Sequence, residues 1–127
     1  MRRTDQRRAA VWALYQSDLL SRPLEETFPR DVHGFTRALA YLVREHQPAL
    51  DDLIRANSTG WTLERSILRV GLAEILYAGE LPGEHAIPPE GAIDEAVEIA
   101  KRFCGADAPG FINGILGAVL RERISET

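Results

Sequence analysis

The chain has 127 residues, 45% of them hydrophobic and 27% charged, with a formal net charge of -4. That length suits one compact domain or two small subdomains sharing a core, and that balance excludes a disordered polymer. A lone cysteine, Cys104, excludes an internal disulfide, the absence of any long apolar run excludes a membrane-spanning helix, and the acidity argues against wholesale nucleic-acid binding.

The start, MRRTDQRR, lacks the apolar stretch of a secretory signal, so a cytoplasmic protein is expected. The same segment holds Arg2, Arg3, Arg7 and Arg8 against Asp5 alone, a local charge of +3 that leaves -7 for the remainder. A basic head on an acidic body points to two partners, a polyanion for the arginines and a basic protein for the acidic face. Improved solubility is the competing explanation for terminal arginines.

Thr4 is placed to cap a first helix running to about Leu20, with Val11, Leu14, Tyr15 and Leu19 on one stripe. Arg3 and Arg7 stand four apart with Arg8 adjacent, an arrangement that offers several guanidinium groups to one phosphate backbone. Trp12 is either a stacking platform beside them or core, and Tyr15 reads as buried or at a protein interface rather than stacked on a base. Two prolines break the stretch from Ser21 to Pro29, where Leu24 and Phe28 anchor a short turn. A second helix is expected from Asp31 to Glu45, burying Phe35, Leu39, Leu42 and Val43, with Pro48 interrupting it. A third then covers about Pro48 to Ala56, burying Leu50, Leu53 and Ile54, until Asn57, Ser58, Thr59 and Gly60 end the first half.

Thr62 is a good cap for a fourth helix to about Tyr77, whose broad band of Ile67, Leu68, Gly71, Leu72, Ile75 and Leu76 predicts a central position. Pro82, Gly83, Pro88 and Pro89 make a loop, and Pro89 opens a fifth helix with Ile93, Ala96, Val97 and Ala100 inward as far as Phe103. Asp107 caps a sixth, in which Ile112, Ile115, Leu116 and Val119 face inward. Gly110, Gly114 and Gly117 fall on another stripe, each costing about 1 kcal/mol of helix propensity relative to alanine. Close helix packing at Gly114 is the expected reason, while Gly110 at the helix start equally suits exposed amides facing a phosphate. No alternation of strand length and no internal repeat occurs. The predicted fold is all-α, six or seven helices in two three-helix subdomains sharing a core, about 1–60 and 61–127.

Catalytic chemistry finds little support. Asp94, Glu95 and Glu98 read as a solvated acidic face, and Cys104 as an inert thiol at a packed joint. His33, His46 and His85 lack the paired spacing of a zinc site, and the glycines of GFINGILG follow no strand, so neither a metal nor a nucleotide cofactor is expected. Asn113 is suited either to a base edge or to capping a neighbouring helix.

Several separated motifs then agree with one family. RRAAVWALYQSDL, with Ala13, Leu14, Tyr15 and Gln16 as an ALYQ signature, ERSILRVGLAEIL with Arg69 and Glu74, IPPEGAIDEAVEIAKRF, and FINGILG together resemble the NusB family over essentially the full length. The resemblance implies a non-enzymatic antitermination factor that binds boxA-type RNA with the ribosomal protein NusE and joins RNA polymerase elongation complexes with other Nus factors. It places RNA at Arg7 most directly, then at Arg2, Arg3 and Arg8, with Lys101 and Asn113 bordering the surface. It turns Tyr15, Gln16 and Glu74 toward the protein partner. The chain departs from the family pattern at Arg8, where Glu is common, at Asp94 for Asn, at Gly110 for Lys and at Gly117 for an acidic residue. Arg8 would then compensate for the lysine missing at Gly110. The competing readings are an accessory domain related to those of rRNA methyltransferases, with no glycine-rich cofactor motif before Thr127, and a structural helical dimerisation module. Monomer and homodimer fit the same periodicity equally.

Overall fold

The computed structural model describes residues 2–54, 63–81 and 87–125, and these are all-helical. Five α-helices occur in the order α1 (Arg3–Leu20), α2 (Gly34–Ile54), α3 (Leu63–Leu76), α4 (Pro89–Phe103) and α5 (Ala108–Ser125). Short 3-10 turns lie at Leu24–Thr27 and Ala78–Glu80. The expected breakpoint at Asn57 to Gly60, the Thr62 cap, Pro82, Gly83 and His85 lie outside the described residues.

The first helix ends where expected: Ser21 adopts the left-handed conformation at φ 52°, its N–H bonds to the Ser17 carbonyl, and Pro23 follows. Its start differs from expectation. Arg2 is the N-cap without a side-chain bond, and the Thr4 hydroxyl instead donates to Glu95 Oε1 of α4 at 3.0 Å. The far end of the apolar stripe also fails, because Leu19 is 54% exposed beyond the reach of α2 and α3.

The helix count is lower than predicted because α2 runs straight through Pro48. A proline inside a helix removes one hydrogen bond and costs about 3 kcal/mol. Pro48 itself faces solvent. On the other side Phe35, Leu39, Leu42, Val43, Leu50 and Ile54 are all buried along one face, which offsets that cost. Leu53, expected inside, is exposed.

Helix α3 packs against each of the other four helices. Every residue from Ser66 to Ile75 is buried, so the predicted central band is in fact an all-round buried helix. Its polar residues must therefore find partners inside. Arg69 donates through Nε and Nη2 to the two carboxylate oxygens of Asp51 at 2.8 and 3.0 Å, and through Nη1 to Asp18 at 2.8 Å. Asp18 also accepts from Arg44 Nη2 at 2.9 Å, so the network ties α1, α2 and α3 together.

The close approach predicted at the glycines of α5 occurs elsewhere. A Cβ on Gly71 of α3 would lie 3.0 Å from Leu116 Cδ1 and 3.5 Å from the Ala96 methyl, whereas one on Gly110 or Gly114 would meet nothing within 4 Å. The bare surface belongs to α3, and Gly114 faces outward.

Candidate nucleic-acid and partner interface

The basic head divides when α1 forms. Arg7 turns inward, its side chain 3% exposed, and its Nε–H is shared between the Glu74 carboxylate oxygens at 2.7 and 2.9 Å. Glu95 lies 3.8 Å from Arg7 Nη1. This corrects two expectations at once: Arg7 is not presented to a polyanion, nor Glu74 to a protein partner, because each neutralises the other within the core. Burial pushes the Glu74 carboxyl above its ordinary range, and the bonds and charge of Arg7 pull it part of the way back.

Arg3 is half-buried, donating to Gln6 Oε1 at 2.9 Å with its guanidinium 4.4 Å from the Phe35 ring centroid. Arg2 is exposed and Arg8 half-buried, and they share the carboxylate of Asp5 at 3.4 and 3.8 Å. They border a hollow of about 260 Å³ together with Thr4, Asp94, Glu95, Glu98, Ile99 and Arg102. Lys101 is exposed beside Arg102 and reaches Glu98 at 3.3 Å. Asn113 is exposed on α5 and is not among the hollow's residues, so the fold brings Arg2, Arg8 and the last turn of α4 together and leaves Asn113 apart.

Two of the hollow's arginines, Arg8 and Arg102, also lie against Phe103, one of a row of aromatic rings. Trp12 meets Tyr15 edge-on at 5.8 Å and Phe103 edge-on at 5.4 Å between centroids. Trp12 and Tyr15 are half-buried, Gln16 is exposed, and Phe103 is 39% exposed at the end of α4. The sequence reading stopped at Phe103 as the last residue of an apolar stripe. Arg102 is adjacent in sequence but Arg8 stands 95 positions away, so their meeting at this ring had no local signal.

Two other expectations concern chemistry. Cys104 is held at a thiol pKa of about 11 by burial and by Glu64 nearby, which removes it as a nucleophile at neutral pH. Among the described residues Glu45, His46 and Glu80 bring donor atoms within 4.8 Å of one another, a grouping from two elements that sequence spacing could not reveal. His46 stacks on Tyr77 at 3.6 Å and bonds Glu80 at 2.9 Å, a contact that secures α2 to the turn after α3.

The sequence model of the NusB family matches residues 4–121. The transcription antitermination protein NusB of Geobacillus kaustophilus is 37% identical, over 94% of this chain and 95% of that one. The solved structure of T. maritima NusB superposes with a TM-score of 0.76 at 30% identity, covering 96% of this chain and 92% of that one. A crystal structure of the antitermination factors NusB and NusE in complex with dsRNA shares the fold, with a TM-score of 0.77 at 23% identity, covering 94% and 96%. Matched by the family model over most of its length and by a close relative from end to end, the chain belongs to the NusB family.

Proposed function

We propose that this NusB-family chain is a transcription antitermination factor that binds boxA-type RNA of rRNA operons together with NusE and helps load the complex onto RNA polymerase. The observation that carries the reading is the family match across residues 4–121. The charge layout supports it. Arg2, Arg8 and Arg102 gather at one hollow with Lys101 beside it, on a molecule whose net charge is -4. Arginines gathered at one place serve phosphate contact although Asp94, Glu95 and Glu98 stand beside them, and the acidity of the molecule as a whole favours a basic ribosomal protein.

In this reading the protein works by assembly in the cytoplasm and not by catalysis. Arg2, Arg3 and Arg8 with Lys101 and Asn113 meet RNA, Tyr15 and Gln16 border the protein partner, and the Arg7–Glu74 pair positions the first turn of α1. Two weak surfaces raise each other's occupancy. A homodimer would be a reserve form, visible by sedimentation of the purified chain.

The test is titration of fluorescently labelled boxA-type RNA with and without NusE. Tighter RNA binding in the presence of NusE is expected; equal affinity would overturn the cooperative mechanism, and absence of RNA binding under both conditions would favour the structural module.

A further inference from the structure

We propose that Phe103 is a stacking platform for one unpaired RNA base, with the guanidinium groups of Arg8 and Arg102 taking the adjoining phosphates. This rests on the RNA-binding reading above and adds a recognition element to it. Phe103 is 39% exposed at the end of α4, so part of its ring surface is accessible to a ligand. Its surroundings select the occupant. Arg8 and Arg102 place their guanidinium carbons 5.4 and 6.0 Å from the ring centroid, and Lys101 is exposed two residues before it. An aromatic face among cations is the arrangement by which single-stranded nucleic acid is held, base on ring and phosphate on guanidinium.

The ring is also held in place before any ligand arrives. Trp12 meets it edge-on at an interplanar angle of 84°, and Tyr15 braces Trp12 in turn at 76°. A base stacking there orders little that is not already ordered. The carboxylates that phosphate must displace are the half-buried Asp5 from Arg8 at 3.8 Å and the exposed Glu98 from Lys101 at 3.3 Å.

A second exposed phenylalanine among the described residues, Phe111, stands in a different setting. It lines an apolar groove with Leu53, Ile115 and Val119, flanked by the carboxylates of Asp52 and Glu122. Among the described residues no arginine or lysine lines that groove, whereas the hollow that Arg8 and Arg102 line sets three arginines against the carboxylates of Asp94, Glu95 and Glu98, which favours Phe103 as the base-binding ring.

The experiment measures binding of a fluorescein-labelled single-stranded boxA-type oligonucleotide at several salt concentrations, for the wild type, Phe103→Leu, Phe103→Tyr and Arg102→Gln. Matching urea midpoints establish that each variant is folded. Phe103→Leu is expected to weaken binding roughly tenfold with an unchanged salt slope, because stacking releases no counterions, and Phe103→Tyr to retain wild-type affinity. Arg102→Gln is expected to lower the slope. A fully paired duplex of the same sequence should not distinguish Phe103→Leu from the wild type. Wild-type affinity for Phe103→Leu overturns this inference alone, as does a loss confined to NusE binding, which would make the ring a protein contact. Failure of the wild type to bind the oligonucleotide with or without NusE overturns the RNA reading and this inference with it.

Discussion

Arg7 and Glu74 show what a residue's neighbours do to its apparent role. In the sequence both are charged groups available to partners; in the fold they are 67 positions apart and bonded at 2.7 Å. A pair buried this deeply gains little net stability, yet removing one partner strands the other at a cost of about 3–5 kcal/mol. Glu74 also sets a pH dependence. Its folded-state pKa is raised chiefly by burial, so between the ordinary carboxylate value of 4.5 and the raised one the native state holds a proton that the unfolded chain has lost. Its contribution to stability therefore falls as pH rises through that window. Urea denaturation of wild type and Glu74→Gln across that range should show the wild type's advantage greatest at the acidic end and shrinking upward. An advantage that grows with pH would mean that Arg7 outweighs burial.

Among the elements, helix periodicity identified most of the buried faces, including Phe35, Leu39, Leu42 and Val43 of α2 and Ile112 and Leu116 of α5. It misjudged where helices end and which small residues matter, because both depend on what lies across the interface. Pro48 breaks an isolated helix but not one whose opposite face is buried at Leu50 and Ile54. The close approach expected at Gly114 is found at Gly71 instead. Gly71→Ala forces a methyl to within 3.0 Å of the fully buried Leu116 and should lower stability by about 1–2 kcal/mol, overpacking exceeding the gain in propensity. Gly114→Ala, with nothing within 4 Å, should raise it by about 0.5–1 kcal/mol. Denaturation midpoints of the two variants decide the point; equal shifts would remove the contrast between a packed and an open glycine.

For the whole molecule, the question is how an acidic protein keeps enough positive potential for RNA. Arg2, Arg8 and Arg102 share their hollow with Asp94, Glu95 and Glu98, so local charge is nearly balanced. Each phosphate contact contributes about 0.7 to the slope of log affinity against log salt for a single strand. Arg8→Glu should reduce that slope by about one contact, and Gly110→Lys should add one. RNA titrations over a range of salt would test both, and unchanged slopes would show that neither position reaches the backbone.

What the sequence determined by itself is what local rules govern: an all-helical chain, the end of α1 near Leu20, the proline start of α4, the polarised charge and the family motifs. These follow from interactions within about one helical turn, which are written in adjacent residues. Tertiary structure alone decided which arginines remain available, that α2 crosses Pro48 unbroken, that Gly71 is the close contact, and that Phe103 emerges between Arg8 and Arg102. Each of those depends on burial and on partners brought from distant segments, and burial is a property of the packed helices together.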